Sequence, residues 1–240
     1  MARNTHFQFK QFTVQQDQCA MKVCTDACVL GAWVHVENAD RILDIGTGTG
    51  LLSLMVAQRN TYAAIDAVEI EAEAFYQAGE NVANSPFKER ITLFHSAIQD
   101  FESEHLYDLI ICNPPFFQSD LRSPEEKINL AHHAETLDFH ELLDSVQRLL
   151  KPEGRFAVML PVEEGSRFKE LASSQNWHLN HELTLFHQPD KKAFRLLMEF
   201  QGAEATIHAE TTSDLNIYEA DGVTHDAKFR ELLKDFYLKF

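Results

Sequence analysis

Hydrophobic positions follow two rhythms along the chain. Arg41-Ile-Leu-Asp-Ile-Gly46 is a short apolar run that stops at glycines, and Leu51 to Arg59 continues with the spacing of an amphipathic helix. Ala63 to Ile70 reads as a second strand ending in acids, and Glu71 to Asn84 as a helix closed by the breaker Asn84-Ser-Pro86. Ile91 to Ala97 is a third strand. Tyr107 to Cys112 is a fourth, ended by Pro114 and Pro115, which have no N–H to give to a ladder. Leu142, Leu143, Val146, Leu149 and Leu150 share one face of a helix over Leu137 to Leu150. Lys151-Pro-Glu-Gly154 predicts a turn into the strand Arg155 to Leu160. His178 to Phe186 and Ala193 to Phe200, joined through Gln188-Pro-Asp190, predict an antiparallel hairpin that closes the sheet. The last forty residues read as mixed helix and loop, with helical periodicity in Phe229, Leu232, Leu233 and Phe236.

This alternation predicts an α/β fold, a three-layer sandwich with a mostly parallel seven-stranded sheet and an antiparallel final hairpin. One domain over 1–240 is expected, with an N-terminal segment (1–40), a core (41–201) and a C-terminal extension (202–240). In such sheets ligands bind beyond the carboxyl ends of the strands, so the functional residues should follow strands one, two and four.

Composition narrows the partners. With 45% hydrophobic and 24% charged residues the chain has the balance of an ordinary globular protein, and its net charge of −16 disfavours coating nucleic acid by bulk electrostatics. The N-terminus lacks a signal-like apolar run and no later stretch is long enough to span a bilayer, so a cytoplasmic location without membrane contact is expected. Cys19, Cys24 and Cys28 cluster far from Cys112, which is no disulfide framework, and their gaps supply no metal site; no metal is expected.

Asp44-Ile-Gly46-Thr-Gly48-Thr-Gly50 puts glycines where a strand turns into a helix, letting backbone approach a ligand. The spacing satisfies neither the dinucleotide GxGxxG nor a phosphate-binding P-loop. Glu69 ends the second strand, where a carboxylate can accept hydrogen bonds from both hydroxyls of a ribose. Asp44 and Glu69 repel a pyrophosphate and suit a cofactor with a cationic amino group, so the loop points to S-adenosylmethionine. At these residues the chain resembles the class I methyltransferases, whose fold is Rossmann-like.

Asn113-Pro114-Pro115-Phe116 directly follows the fourth strand, so it should sit beside the cofactor in the adjacent crevice, with Asn113 expected to meet the cofactor as well as the substrate. An Asn oxygen and the Pro114 carbonyl can accept both hydrogens of a planar exocyclic amine, while Phe116 offers a stacking face. The motif is shared by N6-adenine, N4-cytosine and glutamine-N5 methyltransferases, and does not choose among them.

The segments Phe9-Lys-Gln-Phe12, Ala20-Met-Lys-Val-Cys-Thr-Asp26 and Leu30-Gly-Ala-Trp33, with the Asn-Pro-Pro-Phe core and the terminal Phe236-Tyr-Leu238, are similar to the bacterial tRNA1(Val) (adenine(37)-N6)-methyltransferase family. The resemblance implies methylation of an anticodon-loop adenine in tRNA. It also implies that Lys22, Thr25 and Asp26 close over the cofactor, although they read equally as a helix cap and a snorkelling lysine. Three positions depart from the family pattern: Cys24 replaces glycine, His132 an arginine, and Ala97 the acid that meets the cofactor adenine, where Asp100 or a backbone amide could substitute. His132 and His133 otherwise read as a solvated helix start. Lys191, Lys192, Arg195, Lys228, Arg230, Lys234 and Lys239 are the candidate phosphate contacts, and each also reads as an ordinary solvated charge. A protein glutamine-N5 methyltransferase and a non-catalytic S-adenosylmethionine-binding module are the rival readings.

Overall fold

The computed structural model describes residues 5–19, 22–114, 138–206 and 209–240. The chain opens with a small hairpin, β1 (His6–Gln8) and β2 (Thr13–Gln15), followed by α1 (Thr25–Trp33). Then come β3 (Arg41–Ile45), α2 (Leu51–Arg59), β4 (Ala64–Glu69), α3 (Ala72–Ala83), β5 (Ile91–His95) and β6 (Tyr107–Cys112). The remainder supplies α4 (Phe139–Leu149), β7 (Leu150–Leu160), α5 (Val162–Ser174), β8 (His178–Phe186), β9 (Ala193–Gln201), β10 (Thr211–Asn216) and α6 (Ala227–Leu233).

The main sheet has the order β10-β8-β9-β7-β6-β3-β4-β5. Strands β5, β4, β3, β6 and β7 run parallel, β9 lies antiparallel between β7 and β8, and β10 adds parallel to β8. Leu109 to Cys112 and Ile42 to Ile45 are buried without interruption, as parallel strands covered on both faces require. One core holds α1, α2, α6 and the β1–β2 hairpin against the sheet; the other holds α4 and α5.

Local chemistry sets the helix starts. Asp138 and Glu141 form a reciprocal capping box on α4, and Asp226 accepts from the Lys228 and Phe229 amides on α6. The two termini meet: Phe9 bridges Tyr237, and Lys10 donates from Nζ to the Lys234 and Phe240 carbonyls at 2.5 and 3.0 Å. Phe9 and Phe12 are buried in this junction, each contributing about 2 kcal/mol relative to exposure.

Three expectations are corrected. The sheet has eight strands rather than seven, and the antiparallel pair β8–β9 is not its last element. The added strand β10, Thr-Thr-Ser-Asp-Leu-Asn, is an edge with only Leu215 buried, so it lacks the apolar alternation that announces a strand. Lys151–Gly154 is not a separate turn but a bulged part of β7. Pairing steps from Tyr107↔Leu150 to Leu109↔Arg155, and a Cβ on Gly154 would stand 2.7 Å from the Leu150 side chain. Helix α6 stops at Leu233, although Phe236 beyond it is still buried.

Candidate active site

Register brings the carboxyl ends of three strands together. Ile45 pairs with Val68 and with Cys112, so Gly46, Glu69 and Asn113 follow in one row at the edge of the sheet. The loop after β3 is held to its neighbour, because the Gly46 and Thr47 amides donate to the Val68 carbonyl at 2.9 and 3.1 Å. Gly46, Gly48 and Gly50 adopt φ of +67°, +57° and +81°. These are left-handed conformations that cost other residues roughly 1–2 kcal/mol. Nothing lies within 4 Å of a Cβ placed on Gly46, so the loop leaves an open cradle there.

Asp44 is fully buried. Its Oδ2 accepts from Thr47 Oγ1 (2.6 Å), Ser53 Oγ (2.7 Å) and the Ser53 amide (3.1 Å), so the carboxylate caps the first turn of α2 from the preceding strand. Its Oδ1 is buried and accepts no hydrogen bond among the described residues. Burial pushes the Asp44 pKa up to about 6 against the opposing Ser53 and Thr47 bonds, with the Glu69 charge adding to the rise. Glu69 is satisfied at both oxygens, Oε2 by the Gly48 amide (2.7 Å) and Oε1 by the Glu71 amide (2.9 Å).

Asn113 stands one residue past β6 with its Oδ1 buried and without a hydrogen-bond partner among the described residues. Pro114 behind it is buried. The expectations for Pro115, Phe116, His132 and His133 lie outside the described residues. Cys112, next to Asn113, is a fully buried thiol whose pKa is raised by burial and by the Asp44 and Glu69 charges, so it stays protonated.

Ala97 follows β5, whose last residue His95 pairs with Glu69. Its carbonyl accepts from the Asp100 amide at 3.2 Å, and Asp100 itself is exposed. In the segment before β3, Lys22 is exposed. Asp26 is buried in an ion pair with Arg195 (2.8 Å), which takes Arg195 out of the solvated set expected to meet phosphate. Thr25 lies near the Tyr237 hydroxyl. Asp26 therefore anchors α1 to β9. Lys191, Lys192, Lys228, Arg230 and Lys239 are exposed, whereas Lys234 pairs with Glu231 at 2.5 Å.

Sequence reasoning missed the residues that hold the N-terminal hairpin on the glycine loop. Asn81 of α3 is buried; its Oδ1 accepts from the Gln15 amide (2.7 Å) and its Nδ2 donates to the carbonyls of Gln15 and Thr49 (both 2.9 Å). Gln77, one turn earlier and equally buried, accepts from the Gln18 amide at 2.9 Å. Two amides at i and i+4 among the apolar positions of α3 were the available signal. Thr47 and Ser53, the partners of Asp44, were also passed over.

The methyltransferase small domain family matches residues 27–165. The tRNA1(Val) (adenine(37)-N6)-methyltransferase of Dyadobacter fermentans is 72% identical over the full length of both chains. The protein of the same name from Parabacteroides distasonis is 42% identical over 98% of this chain and 99% of its own. Among solved structures, a predicted O-methyltransferase from Agrobacterium tumefaciens shares the fold with a TM-score of 0.66 at 17% identity, covering 87% of this chain and 95% of that one. By the family match and by these full-length relatives, the chain belongs to the methyltransferase small domain proteins and, within them, to the tRNA1(Val) (adenine(37)-N6)-methyltransferase family.

Proposed function

We propose that this chain methylates the exocyclic N6 amine of adenine 37 in the anticodon loop of tRNA1(Val), using S-adenosylmethionine, in the cytoplasm. Family membership supports the reaction, and the observation that carries the site is the buried, unpartnered Oδ1 of Asn113 beside the glycine loop. Among the described residues no helix is long and apolar enough to cross a membrane.

The residues present fit the cofactor. Gly46 leaves a cradle, Glu69 presents a carboxylate fixed by two backbone amides, and Asp44 keeps one buried oxygen unpaired. Asp44, Gly46, Gly48, Gly50 and Glu69 would hold it, with backbone at Ala97 facing its base and Lys22, Thr25 and Asp26 on the covering segment 1–40. When bound, the cofactor supplies an electrophilic methyl group on a sulfonium.

Asn113 and the Pro114 carbonyl accept the two amine hydrogens, which keeps the nitrogen lone pair out of conjugation and turned toward the methyl donor. Alignment and exclusion of water then supply most of the acceleration, and the proton leaves to solvent after transfer. By the sequence motif, Pro115 and Phe116 are assigned to the same amine-binding role, Phe116 as the stacking face. An anticodon-loop base is single-stranded, so splaying it out costs less than extraction from a duplex. Lys191, Lys192, Lys228, Arg230 and Lys239 are the exposed cations offered to the tRNA phosphates.

Transfer of labelled methyl from S-adenosylmethionine to tRNA lacking the modification, followed by nucleoside analysis, tests this reading. N6-methyladenosine in the valine tRNA is the expected product. Label in a release-factor protein instead, or in neither despite cofactor binding, overturns it.

A further inference from the structure

The fold assembles a second polar cluster on the α1 face of the sheet, three strands away from Asp44. Asp44, Ile111, Ala157, Glu199, His181 and Thr211 lie in one register row across β3, β6, β7, β9, β8 and β10, so Glu199 and His181 are direct neighbours on one face. His35, from the connection between α1 and β3, closes over them. Its Nδ1 lies 3.2 Å from Glu199 Oε2, which also accepts from the His35 amide at 3.4 Å. His181 Nε2 lies 3.9 Å from Glu199 Oε1. The three ligand-type atoms fall within 4.8 Å of one another.

Two features distinguish this cluster from a surface ion pair. Glu199 is 1% exposed in the middle of a sheet, and its Oε1 is buried without a hydrogen bond among the described residues, an arrangement costly to keep unless a positive partner compensates it. The histidine opposite is oriented by an outer hydrogen bond. Thr211 Oγ1 donates to the Asn180 carbonyl (3.4 Å) and so accepts from His181 Nδ1 (2.5 Å). That bond holds the ring with Nε2 turned toward the Glu199 carboxylate, 3.9 Å from Oε1. A ring nitrogen fixed through its other nitrogen is how proteins present imidazole to a metal.

We propose that His35, His181 and Glu199 form a binding site for one borderline divalent transition cation of the zinc class. Two imidazoles and one carboxylate suit such ions, with water completing the coordination. Ligands of a tetrahedral site at bonds of roughly 2.0–2.1 Å stand about 3.3 Å apart, so the half-exposed rings need to draw in by about 1 Å. The ion would clip the connection between α1 and β3 to the β8–β9 hairpin. That hairpin already holds α1 through Arg195 and Asp26, so both ends of α1 would be tied to it. Of the nearby charges, Arg155, which donates to the His35 carbonyl at 3.0 Å, opposes the cation, and Glu37 favours it. None of the three ligands belongs to the reaction described above, and the site does not depend on that reading.

The test uses the full chain without a histidine tag, stripped with chelator and titrated with Zn²⁺ by calorimetry and with Co²⁺ by visible absorption. One equivalent of metal with tetrahedral-type Co²⁺ bands, and a Tm that rises with added Zn²⁺, is the expected result. His35→Ala and His181→Ala should weaken binding about 100-fold or more, and Thr211→Val, which removes only the outer bond, about 10-fold. Failure of the wild-type chain to bind stoichiometrically, or binding that survives both histidine substitutions, overturns the proposal. Thr211→Val keeps both rings and Glu199 in place, so it carries the comparison on a folded protein if a histidine substitution prevents folding.

Discussion

On the β3–β4 side of the crevice, three of the four oxygens of Asp44 and Glu69 already accept hydrogen bonds from the chain, whereas on the β6 side Asn113 Oδ1 is buried and accepts none. The first side is largely prearranged, with a glycine turn, a capped helix and each acid held by donors of its own loop. The second keeps an acceptor in reserve. Groups that hold a ligand in place gain from being preorganised by their own backbone. A group that recognises the reacting atom must keep its hydrogen-bonding capacity for the moment of reaction.

The sharpest way to break this contrast is Asn113→Ala. If the acceptor acts on the amine, kcat should fall by about 100-fold or more while cofactor affinity stays near wild type. Single-turnover rates together with calorimetric cofactor binding separate the two, and a parallel loss of both would erase the division of labour.

Glu69→Gln should produce the opposite split. Gln presents one acceptor where Glu69 presents two charge-assisted ones, so either the Gly48 or the Glu71 amide loses its partner, at a cost of about 1.5–3 kcal/mol. A cofactor KM raised by about tenfold or more with kcat largely retained is expected in steady-state assays.

The smallest effect is a pH dependence set by Asp44. Its pKa in the folded chain is raised from 3.8 to about 6, so the folded state holds this proton more tightly than the unfolded one. The resulting contribution to stability is fully present below 3.8 and is lost as pH rises through about 6. A cationic cofactor prefers the ionised carboxylate, so its affinity should fall by up to about tenfold per pH unit below that value. Calorimetry across this range should show the slope, and Asp44→Asn should flatten it.

The glycine loop, Glu69 and Asn113 were legible in the sequence because a parallel α/β sheet places functional residues at strand ends, and each strand announces its end locally. Asn81 and Gln77 were not, because a buried amide looks like any polar helix residue until the backbone it satisfies is known. Arg195 illustrates the same limit. It reads as a solvated cation near a hairpin, and only the packing of α1 on β9 shows it committed to Asp26.

By itself, the sequence determined the alternating elements, the glycine turn and the end of β6 before Asn113 and Pro114, since periodicity, positive φ and proline act over a few residues. The tertiary structure alone decided the eighth strand, the hold of α3 on the N-terminal hairpin, and the meeting of His35, His181 and Glu199. Those depend on pairings between residues far apart in the chain, whose partners no local pattern encodes.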